Sequence, residues 1–492
     1  MRERELKLAV GEGFVIPSLE DVIIGAALGP PQRLQVRDTY FDTTDLRLAR
    51  WGVTVRWRDG VGWTVKVPHP SNNAAALDRD EIVFEGDPGD PPELAVAMVA
   101  SFTRGTPLAI VAELVNDRTR RRWHRADETL VAELLDDHVV ATSLGQVSRF
   151  REVEIELAPD APSTLLDDLL KAMALGEPGV AVPKLIRVLG EQAGAPPDVV
   201  VSVLGEDPTA AEVIRAAIAS SVSRLICQVP IARIGVDPEG VHQARVATRR
   251  LRSDLRTFGP LLDADWAGLL RAELSWLADE LGKVRDADVL GGRLRSALAQ
   301  RPDIDSGAAN ALLRALQSQR EQHRAALLGH LGDARAIELF EHLTDAAANP
   351  RTTPAAERRA RKVLPQLVDK SWRRMRRAVE ALPGEPTDEE LHQIRILAKR
   401  VRYATEAVRP AAGRQAAQFA VAAAAIQEAL GALNDAAVAE EWLGTVGTRL
   451  GGPAAFAAGR LAQQLTIEAH TDENEWMAAY AQMWRRHSWM QK

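Results

Sequence analysis

Hydrophobic and polar positions follow two rhythms along this chain, and the rhythm changes near residue 200. Up to about residue 190, short runs alternate apolar and polar side chains with period two, punctuated by Gly, Pro, Asp and Asn. That pattern predicts β-strands. In Thr54-Val55-Arg56-Trp57-Arg58, Thr54, Arg56 and Arg58 share one face, while Val55 and Trp57 share the other. After a turn at Asp59-Gly60, Thr64 and Lys66 face one way and Trp63, Val65 and Val67 the other. Arg79 and Glu81 fall on one side of a further strand, and Arg118, Arg120 and Arg122 alternate before Trp123. Later, Glu152, Glu154 and Glu156 stand against Val153, Ile155 and Leu157. The opening strand has the same form, with Glu3, Glu5 and Lys7 on one surface.

From Thr209 onward the chain is rich in Ala, Leu and Arg at helical spacing. Pro- and Gly-containing residues at 193–207 read as a linker between a domain at 1–192 and a helical one at 208–489. Thr209 or Asp207 is expected to cap the first helix. The helical part repeats internally. Val241-His242-Gln243-Ala244-Arg245 returns as Leu391-His392-Gln393-Ile394-Arg395, and Arg249-Arg250-x-Arg252 as Lys399-Arg400-x-Arg402. Leu281-Gly282 followed by Asp286-Ala287 returns as Leu430-Gly431 followed by Asp435-Ala436. Three landmarks displaced by roughly 150 residues are too far apart for a solenoid and predict two homologous helical bundles, at about 208–348 and 355–489.

At about 100° per residue, His242, Arg245, Arg249, Arg252 and Arg256 fall within an arc of roughly 80° on one helix. The second copy puts His392, Arg395, Lys399 and Arg402 in the same arc, with Glu406 at the fifth position. Stacked like charges weaken a helix, so two copies keeping the same stripe predict a bound polyanion rather than a merely solvated face.

The overall charge narrows the choice. The 492 residues carry 61 Lys and Arg against 68 Asp and Glu, a net charge of −7, so the molecule is no polycation and any anion site must be local. A single cysteine, Cys227, excludes an internal disulfide and fits a reducing compartment. No basic-then-apolar leader opens the chain and no run of 18 apolar residues occurs, so no membrane partner and a cytoplasmic location are expected. Among the basic stripes Tyr403 is the lone aromatic suited to base stacking, and nucleic acid is not expected. The helically spaced Trp476, Tyr480, Met483, Trp484 and His487 read as core cover.

Three glutamates in a row on a strand repel one another unless cations intervene. An antiparallel sheet offering Glu rows and Arg/Lys rows on one side could close into a barrel with a charged interior, a poor core but a fitting cage for a divalent cation and a phosphate chain. The motifs carrying this pattern are Glu3-x-Glu5-x-Lys7, Tyr40-Phe41-Asp42-Thr43, Val55-Arg56-Trp57-Arg58, Thr64-Val65-Lys66, Arg120-x-x-Trp123 and Glu152-x-Glu154-x-Glu156. In this order they resemble the CYTH domains, or triphosphate tunnel metalloenzymes. The family's late Ser-Lys pair is here Pro183-Lys184, so only the lysine is carried over.

The paired basic helices and L-G-x-x-x-D-A turns resemble a CHAD domain, a tandem of four-helix bundles associated with inorganic polyphosphate. The two resemblances imply an α+β multidomain protein, an eight-stranded antiparallel β-barrel followed by an all-α tandem of two four-helix bundles. They imply a triphosphatase dependent on Mg²⁺ or Mn²⁺ and acting on inorganic triphosphate or short polyphosphate. Glu3, Glu5, Glu154 and Glu156, with Glu81 and Glu152 as weaker ligands, would hold the metal. Lys7, Arg56, Arg58 and Lys66 would act on the reacting phosphates, and Arg79, Arg118, Arg120 and Lys184 would bind substrate. His242, Arg245, Arg249, Arg252, Arg256, His392, Arg395, Lys399 and Arg402 would bind polyphosphate. Thiamine triphosphate or ATP as substrate, and polyphosphate binding without catalysis, stay open, as do oligomeric state and association with polyphosphate granules.

Overall fold

The computed structural model describes residues 2–68, 79–143, 145–162, 164–173, 184–235, 237–470 and 475–491, with side chains from Glu5 onward. The chain divides into two compact units, Met1–Asp198 and Val199–Lys492. The break falls inside the stretch read as a linker, because its first part is tied to the first unit. Trp51 Nε1 donates to Asp198 Oδ1 at 2.8 Å, Arg104 also pairs with Asp198, and Arg50 donates to the Pro196 carbonyl at 2.9 Å.

The first unit contains nine strands among the described residues. They are β1 (Arg2–Val10), β2 (Ala26–Leu28), β3 (Gln32–Asp42), β4 (Thr54–Arg58), β5 (Gly62–Pro68), β6 (Arg79–Phe84), β7 (Ala109–Arg125), β8 (Leu130–Ser143) and β9 (Gln146–Leu157). Four helices accompany them: α1 (Arg47–Arg50), α2 (Glu93–Thr103), α3 (Thr164–Ala172) and α4 (Lys184–Leu189). Strand order β7-β3-β4-β5-β6-β1-β9-β8 returns from β8 to β7, with antiparallel neighbours throughout. Eight strands therefore close a barrel, which leaves no unpaired edge. The short β2 is an extra strand on β7.

The barrel is inside out relative to an ordinary sandwich. Part of its outer surface is apolar: Leu8, Trp123, Leu134, Val153, Ile155 and Leu157 bury themselves with Leu169 of α3 and Leu19 and Ile23 of the segment before β2. Trp63, Val65 and Val67 are likewise fully buried, with Trp63 against Phe41 at 4.9 Å between ring centroids. Covering helices and loops supply the hydrophobic stabilisation that the charged interior cannot. One stretch of the interior is apolar: along β7, β8 and β9 the inward rows turn to Leu114 and Ala112, to Val139 and Ala141, and to Phe150. These pack with Tyr40 of β3 and Leu185 of α4. Asp42, in the motif Tyr40-Phe41-Asp42-Thr43, serves the fold. Its carboxylate accepts from the backbone N–H groups of Thr43, Leu48 and Ala49 at 2.7, 2.9 and 2.9 Å, satisfying the start of α1.

The second unit is all-helical apart from turns: α5 (Ala210–Ile234), α6 (Glu239–Thr257), α7 (Ala264–Ala299), α8 (Ser306–Gly332), α9 (Ala334–Ala348), α10 (Ala360–Glu380), α11 (Asp388–Ala429), α12 (Gly431–Leu450), α13 (Gly452–His470) and α14 (Glu475–Arg486). Thr209 is the cap of α5, in a reciprocal capping box with Glu212. The two repeats differ where they were expected to match. Leu281-Gly282 lies in the middle of the continuous 36-residue α7, whereas Leu430 separates α11 from α12, and α11 itself is interrupted at Gly413 with φ 68° and ψ −148°.

The repeats also share a core. Leu290 and Leu294 of α7 and Leu312 and Leu316 of α8 pack with Leu443 and Val446 of α12 and Leu461 and Leu465 of α13. The stretch Asp388–Leu450 includes an 18-residue window of mean hydropathy 1.4, but its Phe419, Ala420, Ala422, Ala423 and Ile426 are buried within this unit. The aromatic residues near the end gather on Trp372 of α10, with centroids 5.6 Å to Tyr480, 6.3 Å to Trp484 and 6.1 Å to His487.

Candidate functional site

Period-two alternation and barrel closure together decide what the interior contains. On β1, Glu5 and Lys7 point opposite to Leu6 and Leu8, and register sets Glu5 against Glu156 and Lys7 against Glu154 on β9. On β8 the inward row brings Asp137 beside Arg118 of β7 and Glu152 of β9. Carboxylate oxygens of Glu5, Glu154 and Glu156 lie within 4.8 Å of one another, as do those of Asp137, Glu152 and Glu154. These two overlapping groups are bracketed by cations. Lys7 Nζ is 2.5 Å from Glu154 Oε1 and 3.1 Å from Glu5 Oε2. Arg118 clasps Asp137 through two 2.7 Å hydrogen bonds and reaches Glu154 Oε2 at 3.3 Å. Lys184, the first residue of α4, pairs with Asp137 and stands 3.1 Å from Glu152 and 3.4 Å from Glu154. Leu185, buried in the apolar stretch of the interior, anchors that helix so the lysine points inward.

The strands β3 to β6 carry a second, more cationic group. Arg58 donates to both oxygens of Asp38 at 2.7 and 2.9 Å. Arg56 lies 3.8 Å from Asp38 and 3.8 Å from Glu81. Lys66 Nζ is 3.4 Å from Glu81.

Burial makes this electrostatics strong. Burial alone would push the Glu154 carboxyl up, but Lys7, Lys184 and Arg118 outweigh it and hold the group well below the usual carboxylate range. Burial likewise acts against the charge on Lys7 and Lys184, and the surrounding carboxylates reverse it, so both ammonium groups stay charged. Glu152 goes the other way: burial, reinforced by Glu154, pushes it up to about 7 despite Lys184. Asp38 and Asp137 are held down, against burial, by their arginine partners and by Lys184.

The remaining expected residues are placed as follows. Glu3 pairs with Arg79 through its backbone, and its side chain lies outside the described residues, as does Pro183. Arg79 is buried on β6. Glu81 sits with Lys66 and Arg56 rather than among the grouped carboxylates. Arg120 hydrogen-bonds Gln32 at 2.7 Å, and its Nε is buried without a hydrogen-bond partner. Sequence reading overlooked Asp38, Tyr40 and Asp137 as interior residues. Their signal was the same alternation, Asp38 with Tyr40 on β3 and Asp137 with Glu133 and Leu135 on β8, weakened because neither row consists of charges alone.

The donor set fits a hard divalent cation. Glu5, Glu154 and Glu156 supply oxygen ligands only, and Glu5 Oε2 is buried beside Lys7 without a hydrogen bond. Any such ion would relieve the mutual repulsion of three neighbouring carboxylates.

In the helical unit the two stripes converge. His242, Arg245 and Arg249 of α6 and Arg395 and Lys399 of α11 line one groove of about 310 Å³, joined by Arg285 and Arg293 of α7 and by Asp435 of α12. Arg285 and Arg293 were not anticipated, since they belong to a helix whose charges form no stripe of their own. Burial and then Arg395, Arg249 and Arg245 bring the Lys399 ammonium down to about 8. Burial lowers His242 and His392 as well, Arg285 adding to the first and Arg395 to the second. Arg402 is outside the groove lining and bonds Glu406 at 2.8 Å, and Arg252 and Arg256 lie farther along α6.

Comparison with known proteins follows the same division. Residues 1–179 match the CYTH domain and residues 216–444 the CHAD domain. The chain is 31% identical to Uncharacterized protein Rv2226 of Mycobacterium tuberculosis, over 94% of this chain and 92% of that protein. Among solved structures it is similar to PptA from Streptomyces chartreusis, at 25% identity and TM-score 0.47, covering 56% of this chain and 99% of that one. It is also similar to the CHAD domain from the plant Ricinus communis, at 27% identity and TM-score 0.46, covering 58% and 95%.

Proposed function

The chain belongs to the CYTH–CHAD family, a CYTH domain followed by a CHAD domain, and on that premise we propose a metal-dependent triphosphatase joined to a polyphosphate-binding helical domain. The barrel acts on inorganic triphosphate or short polyphosphate, with Mg²⁺ or Mn²⁺. The observation carrying this reading is the closed interior. It holds a carboxylate-rich group on β1, β8 and β9 and a guanidinium- and ammonium-bearing group on β4 and β5.

Phosphoryl transfer needs mainly positioning and charge neutralisation. Arg56, Arg58 and Lys66 are suited to hold phosphate oxygens, with Arg58 and Arg56 preset by Asp38 and Lys66 by Glu81. Lys7, Arg118 and Lys184 keep Glu154 ionised and oriented. Glu5, Glu154 and Glu156 would hold the divalent ion, which supplies charge neutralisation and activation of water when bound.

A second reading, binding without turnover, is favoured by one feature: Lys7, Arg58, Lys66, Arg118 and Lys184 each already face a protein carboxylate. Phosphate release from inorganic triphosphate, ATP and thiamine triphosphate, with Mg²⁺ or Mn²⁺ added and then chelated, decides between them. Metal-dependent release from triphosphate supports the enzyme, and binding with no release from any of the three supports the sensor. The helical groove, with Arg245, Arg249, Arg395 and Lys399 from the two stripes beside His242, is the proposed polyphosphate site. A cytoplasmic setting is proposed from the single, half-buried Cys227.

A further inference from the structure

Helix α7 lines a second cavity on another of its faces, against α8. This cavity encloses about 480 Å³ and shares no lining residue with the basic groove. Its frame is an antiparallel helix pair. Arg320 of α8 pairs with Asp288 of α7, and a turn away Leu316 of α8 reaches to 3.6 Å from where a Cβ on Gly291 would stand. Arg295 of α7 lies back over the same glycine, its Nη1 3.4 Å from that position. The bare backbone of Gly291 thus seats a guanidinium at the cavity wall.

One buried group here lacks a partner. Asp288 gives Oδ1 to Arg320, but its Oδ2 is buried with no hydrogen bond, on a side chain only 9% exposed. Arg324, a turn further along α8, is engaged elsewhere, donating to the carbonyls of Ala232 and Arg233 at 2.9 and 2.6 Å. A buried acceptor without a donor is destabilising until something supplies one. The cations are also in excess. Arg295, Arg314 and Arg320 line the cavity against the single carboxylate of Asp288, three positive charges to one negative, which leaves two. Among the described residues, neither Arg295 nor Arg314 makes a hydrogen bond or an ion pair.

These features select one kind of ligand. Two guanidinium forks match a phosphate monoester, which approaches a dianion near neutral pH. Asp288 requires a neutral N–H, because an ammonium there would also meet Arg320. Arg314 precedes Arg320 by roughly 9 Å of helix rise, so the anion and the donor are held apart, as they are across a nucleotide. Ala287, Leu313 and Leu316 supply apolar wall, and the volume is that of a small-molecule site. Linear polyphosphate does not fit: it offers Asp288 no N–H, and the carboxylate repels it. We propose that the α7–α8 cavity binds a nucleoside monophosphate whose base carries an exocyclic amino group. The phosphate sits between Arg295 and Arg314, and the amino group donates to Asp288 Oδ2. This site is independent of the groove and of the barrel.

Calorimetry on the full chain in EDTA, which removes metal-dependent binding by the barrel, tests this with two ligand pairs. AMP is set against IMP, and CMP against UMP; each pair exchanges an amino group for a keto oxygen on the same ring. The amino member of at least one pair should bind, about tenfold tighter than its keto partner, which leaves Asp288 unpaired. No binding by any of the four at millimolar concentration, or equal binding within both pairs, would overturn the proposal. The double variant Arg295→Gln, Arg314→Gln should bind the preferred nucleotide at least about tenfold more weakly. Neither arginine has a protein partner to lose, so its melting temperature and its long-chain polyphosphate binding should match wild type. Undiminished nucleotide binding in that variant would place the nucleotide elsewhere and overturn the site. Asp288→Asn should narrow the preference within the pair, since an amide can turn a donor toward the keto oxygen. A preference kept in full would remove Asp288 as the reader of the base. Should that variant fail to fold, the ligand pairs and the arginine variant still decide.

Discussion

Lys7 and Glu154, 147 residues apart in sequence, meet inside the barrel with Nζ 2.5 Å from Oε1. The contact joins the first strand to the last, and Glu154 answers Lys184 and Arg118 as well. Removing Glu154 would leave three buried cations without their shared counter-charge, so it is a poor probe of metal binding. Glu5 is a better one, because among the described residues its ion pair is with Lys7 alone, at 3.1 Å.

Glu5→Gln keeps the side-chain volume and removes a charge that a hard cation requires. Triphosphate hydrolysis at limiting Mg²⁺ should fall on the order of 100-fold, with the melting temperature close to wild type. Phosphate release across a Mg²⁺ titration, beside thermal unfolding, checks this. A wild-type rate at limiting metal would remove Glu5 from the ligand set.

Arg58→Ala and Lys66→Ala test the cationic strands. Each removes a partner from a carboxylate, the buried Asp38 or the half-buried Glu81, and a contact for phosphate oxygens. Both should lower kcat/KM for triphosphate, again on the order of 100-fold. Asp38 keeps Arg56 at 3.8 Å, so Arg58→Ala should still fold. Unchanged kinetics in both variants would place the substrate elsewhere.

The helical groove should bind with a pH dependence of defined sign. Lys399 in the free protein loses its proton near 8, since burial and three arginines disfavour its charge. A bound polyanion favours the charged form and raises that value. Binding therefore takes up a proton above pH 8, and affinity falls as pH rises, by at most about tenfold per unit for one group. Calorimetry of long-chain polyphosphate binding from pH 7 to pH 9.5 measures it, in more than one buffer to count protons. Lys399→Arg should bind with a nearly flat profile. The same slope in that variant would assign the proton to another group.

Replacing Arg245, Arg249, His392, Arg395 and Lys399 together with Gln should abolish long-chain binding and leave triphosphate hydrolysis intact. The residues proposed to act on triphosphate all precede Asp198 and belong to a separate compact unit. Paired binding and phosphate-release assays on one preparation read both outcomes. Retained long-chain binding would sink the assignment of the stripes, and a loss of both activities would make them structural.

What the sequence determined by itself is everything that depends on local periodicity. Side chains two apart on a strand share a face whatever the strand later pairs with. The rows Glu152, Glu154, Glu156 and Arg56, Arg58 were therefore legible before any fold. The same holds for the helical stripes, whose residues keep their arc on any straight helix, and for the repeat that doubles them. Partnership across the molecule was decided only by the tertiary structure. Barrel closure and register, not spacing, put Asp137 between Arg118 and Lys184 and put Asp38 under Arg58. The packing of α6, α7 and α11 put Arg245 and Arg249 of one apparent stripe in a groove, left Arg252 and Arg256 outside its lining, and added Arg285 and Arg293 from a neighbouring helix. The physical reason is range. Periodicity is set by backbone geometry over a few residues, whereas a buried charge is settled by whichever counter-charge the closed fold brings within a few ångströms.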